Sequence, residues 1–565
     1  MRGFVDQIFF HCGLVVVAGG LYSVAPAAEV EGRIVDAASG AALPARLVIV
    51  SLDDPANRHL AKSADAAGEA VVYDKRRGDG IAEVHTALSA HPFRADLPPG
   101  RYRLTATRGH EYRPASLDIT VPSDMPAPVT LALSRWIDMG ERGWFSGDVH
   151  CHLPRAGLET VLLAADLNVT FPLAGWVTDS AHKPTEHNKI AEPWPVNRLQ
   201  LADRTHVFWA ANSEYELFTR AGEKEPLGAL LVLRHREPLG LSIPPLEPLK
   251  KAAREQGALF DLEKHNWPWS MVLPAIGAAD LFELTNNHVW EAGFGVTKWY
   301  TEYIPDYMGI AKGADGTIDE SGWLRFGFQN WYALLNCGLR LAPSAGTGSG
   351  VHPVALGFGR VYVRMPEREF DFDDWVSGLK AGRSMVTTGP MLFFTAGEKH
   401  PGATLSWDPE SKAAQGGEEE GDGVPVICRV ESEHPIEALE VIVNGEARPL
   451  EIGGPIGARA AHSAMARTRV PLDRSGWIAA RVWTKTAEGR PRFAHTAPVF
   501  VEVEGRPQHP KPEEAAYLLS RVEAEIARHG EALSKETRAE FEEAAEFYRD
   551  KRDEAVSAGK SKKGR

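Results

Sequence analysis

The segment Trp144-Phe145-Ser146-Gly147-Asp148-Val149-His150-Cys151-His152 concentrates the most chemically versatile groups in this chain. Side chains alternate faces along an extended strand, so Asp148, His150 and His152 fall on one side and Cys151 on the other. Two imidazoles two residues apart form a natural chelate for zinc, manganese or iron. A nearby carboxylate can be a further ligand or can orient an imidazole through its second nitrogen. Glu214, in Asn212-Ser213-Glu214-Tyr215-Glu216, and His265, in Phe260-Asp261-Leu262-Glu263-Lys264-His265, each end a short apolar segment, as ligands delivered from separate strands would. The expected site is therefore one or two divalent ions held by His150, His152, Glu214 and His265, with Asp148 in support. A water polarised there would be the nucleophile, with Glu214 and Glu263 as the catalytic carboxylates and Glu263 moving the proton. A surface salt bridge is the competing fate of Glu263, and a ligand-free edge strand that of the histidine pair.

A second group, Glu283, Asn286 and His288 within Asp280 to Trp290, is placed just past an apolar strand and would line a pocket that binds substrate hydroxyls or amides; a loop with Asn turns and a packed Trp is the alternative. His352 is either a further ligand or a loop histidine before Pro353. Trp267 and Trp269 read either as a stacking wall beside His265 or as core. No Gly-x-Ser-x-Gly elbow follows a strand, and Gly346-Thr347-Gly348-Ser349-Gly350 lacks the Gly-Lys-Ser or Gly-Lys-Thr of a phosphate-cradling loop, which leaves it a backbone turn.

The elements that must position these groups change character along the chain. Arg2, the apolar stretch Ile8 to Leu21 and the small residues before Glu29 read as a signal peptide over residues 1–28, with an exported, periplasmic or extracellular product. Short alternating runs then predict a β-sandwich over 29–135. Over 136–392 short strands alternate with helices at Leu158 to Ala165, Leu246 to Gln256 and Phe372 to Ala381, which argues for an α/β layer or barrel. Strand patterns return over 393–505 as a second β-sandwich, interrupted by a Gly- and Glu-rich loop at Gly416 to Gly423. Residues 506–565 predict a helical hairpin with Leu519, Val522 and Ile526 on one stripe, Phe541, Ala544 and Tyr548 on the other, and Ser534 as N-cap.

Two resemblances sharpen these expectations. Glu31-Gly32-Arg33-Ile34-Val35-Asp36 and Leu97-Pro98-Pro99-Gly100-Arg101-Tyr102-Arg103-Leu104 resemble the transthyretin-like regulatory module of carboxypeptidases, an accessory without chemistry of its own. Gly147-Asp148-Val149-His150-Cys151-His152, the mid-domain His265, Trp331-Tyr332-Ala333-Leu334-Leu335-Asn336-Cys337-Gly338 and the closing Gly382 to Pro390 resemble, in order, the carbaryl-hydrolase-like branch of the PHP superfamily. That resemblance implies a distorted α/β barrel with a metal cluster at its mouth and hydrolysis of a phosphoester, amide or carbamate. The chain departs from the family at Arg155-Ala156-Gly157, where a Ser-Asp-Gly is usual, and at Ser349-Gly350-Val351-His352, which lacks the family's aspartate. The missing acids imply a site smaller than a trinuclear cluster. They also leave open a catalytically degenerate extracytoplasmic module that binds carbohydrate or peptide.

A formal net charge of -14 disfavours nucleic acid as partner, since phosphate binding needs a clustered basic surface. The expected partner is a small-molecule or polymeric substrate, with no membrane span once the leader is removed. Cys12 lies in the leader, and Cys151, Cys337 and Cys428 are too scattered for a disulfide framework.

Overall fold

A computed structural model describes residues 27–121, 128–411, 422–453 and 459–563. The signal-peptide assignment and most of the 416–423 loop therefore lie outside the described residues. The chain is built mostly from β-sheet, in several sheets and more than one domain.

At the N-terminal end, a sheet containing Ala28–Asp36, Phe93–Leu97 and Val129–Arg135 faces one containing Ala45–Ser51, Ala82–Leu88 and Gly100–Thr107. Alternation does the work here: Ala45, Leu47 and Ile49 point inward, and Phe93, Ala95 and Leu97 answer them from the other sheet across a shared apolar core.

The central part differs from the expected closed barrel. Its strands divide between two sheets, one carrying Trp144–Cys151, Val169–Pro172, Val207–Trp209 and Arg360–Arg364, the other Gly175–Asp179, Ser213–Arg220, Ala229–Leu233, Leu259–Leu262, Leu281–Thr285 and Ala342–Ala345. No ladder joins Ala342–Ala345 to Trp144–Cys151. The Gly348 N–H instead donates to His150 O (2.8 Å) and the His152 N–H to Ser349 O (2.8 Å). The glycine-rich turn of 346–350 thus takes the place a closing strand pair would have, beside the histidine pair.

The first of these sheets does not stop at residue 392. Ser384–Thr387 pairs with Pro491–Thr496, and the ladder continues through Gly476–Lys485 to Ile436–Val443, so the part expected as a separate second sandwich shares a sheet with the central one. Helices form at Leu158–Ala165, Glu247–Glu255 and Phe372–Lys380, within a residue of their expected bounds.

The terminal hairpin is Pro512–His529 and Lys535–Lys563, with the Ser534 hydroxyl accepting the Thr537 N–H as cap (3.1 Å). Leu519, Val522, Phe541, Ala544 and Tyr548 are buried in the same core as the central sheets, and Ile526 is half-buried against it. Tyr548 donates to Met271 O (2.8 Å) and Tyr517 to Asn330 Oδ1 (2.9 Å), so the tail braces the elements beneath the site. No helix among the described residues is long and apolar enough to cross a membrane.

Candidate metal centre

Three expected residues converge. The His150, His152 and Glu214 ligand atoms all lie within 4.8 Å of one another, with His150 Nε2 at 3.0 Å from His152 Nε2 and 3.6 Å from Glu214 Oε1, and His152 Nε2 at 3.3 Å from Glu214 Oε2. His150 and Glu214 are fully buried, and the His152 side chain is only 5% exposed. Cys151 points the other way, into a core with Leu158 and Leu162, where burial lifts its thiol to about 12. The two sheets supply the site from opposite sides, the histidines from one and the carboxylates from the other.

On the carboxylate side the period of two governs. Glu214 and Glu216 share a face of Ser213–Arg220, both reaching the Lys264 ammonium (3.4 and 3.1 Å), while Asp261 and Glu263 occupy successive inward positions on and just beyond Leu259–Leu262. Glu283 projects from the neighbouring Leu281–Thr285. Glu263 Oε2 and Glu283 Oε1 each lie 3.4 Å from His150 Nδ1.

A hydrogen on Nδ1 would face Glu263 and Glu283 and leave the Nε2 lone pair toward His152 and Glu214, the tautomer that a metal at this point needs. Two imidazole nitrogens and a carboxylate then face one point, a donor set that suits zinc, manganese or iron. The unsatisfied atoms agree: Glu214 Oε2, Glu263 Oε1, both oxygens of Glu283 and Asp261 Oδ2 are buried without a hydrogen-bond partner. Stranding one ionised carboxylate this way costs several kcal/mol, so Glu214, Asp261, Glu263 and Glu283 take up protons unless a cation balances them. Burial, with the neighbouring acids, pushes Glu214, Glu283 and Asp261 well above the usual carboxylate range. Burial likewise holds His150 and His152 well below theirs, so both imidazoles are neutral and free to ligate.

Asp148 has both oxygens taken up by hydrogen bonds. Its carboxylate accepts the Thr347 N–H (3.0 Å) and hydroxyl (2.6 Å), the Gly357 N–H (2.8 Å) and the His150 N–H (3.2 Å), fastening the 346–357 loop to the histidine strand. Burial lifts it to about 6 against those four bonds. Gly346 is required at this junction, because a Cβ there would sit 2.2 Å from Glu283 Oε1 and 2.4 Å from His150 Cβ.

Other expected residues go elsewhere. His265 is outside the three-residue group. Asn330 Nδ2 donates to its Nδ1 (3.0 Å), Gly327 of helix Glu320–Asn336 lies against its Nε2, and Phe282, Trp323 and Phe326 enclose the ring. The physical reason is that the strand ends at Leu262: beyond it the chain turns, with the Trp267 N–H donating to Lys264 O (3.2 Å), and strict alternation lapses. Lys264, which alternation puts on the far face, thereby reaches the site, and His265 turns away from it. Glu263 is not a surface residue but fully buried, 2.5 Å from Lys264 Nζ. Asn286 donates to Glu263 O (3.1 Å) and holds that turn. His288 and His352 have ring centroids 6.1 Å apart, His288 against Trp299 and Trp323, His352 stacked on Trp290. Trp267 and Trp269 are buried core rather than an exposed wall. Sequence reasoning did not single out Glu216, Asp261 or Lys264 for chemistry, although Glu214-x-Glu216 and Asp261-x-Glu263 are acid pairs at strand period inside apolar runs.

The N-terminal domain also reaches this loop. The Tyr73 hydroxyl donates to His352 O (2.5 Å) and accepts the Gly350 N–H (3.0 Å). No protein-family model, curated protein or solved structure matches the chain.

Proposed function

We propose that the protein is a metal-dependent hydrolase of the kind the carbaryl-hydrolase-like resemblance implies, built in a barrel-like central domain and acting outside the cytoplasm on an ester, amide or phosphoester. The observation that carries this reading is the buried convergence of His150, His152 and Glu214 beside carboxylate oxygens that have no partner.

A divalent ion held by those three residues, zinc, manganese or iron, would polarise a water and a substrate oxygen. The chain's own groups have separate tasks. Glu263 and Glu283 stand 3.4 Å from His150 Nδ1, where they favour the ring orientation that turns Nε2 toward His152 and Glu214. Asp148 fixes the loop of 346–357 that closes the site from behind. Substrate approaches from the side of His152, the least buried of the three, where the Trp176 ring stands 4.6 Å from the imidazole and the Lys189 ammonium lies 4.4 Å from the centre of the Trp176 ring. Trp176 offers an apolar face and Lys189 a positive charge to whatever enters. Glu214 turns an unpartnered Oε2 toward His152, which places it to ligate.

The test is turnover of a panel of nitrophenyl esters, anilides and phosphoesters by protein loaded with zinc, manganese or iron. Hydrolysis that a chelator and Glu214→Gln both abolish supports the proposal. Absence of turnover across the panel with carbohydrate or peptide binding retained would replace it with a binding module.

A further inference from the structure

Lys264 is a buried cation among buried carboxylates, and its position is unlike that of an ordinary ion-pair partner. Its Nζ lies 2.5 Å from Glu263 Oε2, 3.1 Å from Glu216 Oε1 and 3.4 Å from Glu214 Oε1, with the side chain 1% exposed. Three carboxylate oxygens from two strands surrounding one point at those distances is the environment of a cation with oxygen ligands. Glu214 is shared: Oε1 faces the ammonium, and the unpartnered Oε2 faces His152.

We infer that Lys264 is a built-in second cation, its ammonium filling the position a second metal ion would take beside the His150, His152 and Glu214 site, so that the centre binds a single ion. This rests on the metal reading above. Two features support it. Glu214 turns Oε1 to the ammonium and Oε2 to His152, which leaves the carboxylate one oxygen to ligate with and keeps it from bridging two ions. Among the described residues, no imidazole beside Glu216 and Glu263 completes a second donor set on the ammonium's side; His150, 3.4 Å from Glu263 Oε2 through Nδ1, belongs to the first. A fixed ammonium cannot be chelated away, and it makes the acid cluster tolerable before any ion arrives.

Equilibrium dialysis of the full chain against Zn2+ or Mn2+ alone, read by elemental analysis, tests the count. Wild type should bind one ion, Lys264→Met two, and Lys264→Met with Glu263→Gln one again. Low-temperature electron paramagnetic resonance of the Mn2+-loaded Lys264→Met protein should show the coupling of two neighbouring ions, absent from wild type. If Lys264→Met does not accumulate as folded protein, Lys264→Gln, which can still hydrogen-bond to Glu263, should give the same second ion. Two ions in wild type, or one in both neutral variants, overturns the inference and leaves the metal reading standing; no ion in wild type overturns both.

Discussion

Glu283 Oε1 lies 3.4 Å from His150 Nδ1, and the approach exists only because residue 346 has no side chain. The carboxylate and the imidazole come from different sheets, and the glycine-rich turn that replaces a strand pair between those sheets passes directly behind both. Gly346→Ala should push Glu283 off His150 and free the ring to rotate. Losing a residue that orients a metal-bound imidazole costs about 10- to 100-fold in metal affinity. Calorimetric titration with Zn2+ checks this, and a variant that binds as wild type does would show that Glu283 does not orient His150.

Asp148→Asn leaves one oxygen for donors that now share two, and sets amide hydrogens against the Gly357 or Thr347 N–H. The central unfolding transition should lose about 1–3 kcal/mol, the cost of stranding a buried donor. Urea denaturation followed by tryptophan fluorescence measures it, and an unchanged midpoint would remove Asp148 from its fastening role.

Tyr73→Phe removes the hydroxyl that ties the N-terminal domain to the loop, leaving the Gly350 N–H without its acceptor. Amide exchange over 346–352 should quicken while the N-terminal sheets stay protected. Exchange that is unaltered in the loop would mean that the two domains are held by other contacts, such as Arg108 and Arg135 on Asp166.

Acid should weaken the joint between the central and C-terminal parts. His495 accepts from the Tyr332 hydroxyl (2.6 Å) at Nε2 and donates from Nδ1 to Thr496 O (2.8 Å), and burial lowers it to about 3. The unfolded chain, with an ordinary histidine near 6.5, then binds the proton first. The contribution of His495 is therefore complete above pH 6.5 and is lost as pH falls toward 3, by up to about 1.4 kcal/mol per unit. His495→Gln should flatten the fall of Tm between about pH 6.5 and 4; a slope equal to that of wild type would place the acid sensitivity elsewhere.

Periodicity made much of this legible in the sequence. Alternation placed His150 and His152 together with Cys151 opposed, and the 3.6-residue stripe found Leu519, Val522, Phe541, Ala544 and Tyr548 in the tail. It failed where an element ends. The strand stops at Leu262, so Lys264 and His265 exchange the sides that alternation assigns them, and no local pattern announces that turn. The continuous sheet across residue 392 was hidden for a different reason: pairing of Ser384–Thr387 with Pro491–Thr496 joins segments about a hundred residues apart, which local patterning does not reach. The role of Gly346 is similarly non-local, set by Glu283 and His150 rather than by its neighbours in the chain.

The most direct test of the whole account is metal binding by purified protein, stripped with chelator and titrated with Zn2+ or Mn2+ beside His150→Ala, His152→Ala and Glu214→Gln. Wild type should take up a divalent ion, and each variant should bind it more weakly than the roughly 10- to 100-fold loss of a merely supporting residue. Failure of the wild-type protein to bind, or binding that survives all three substitutions, would contradict the metal centre.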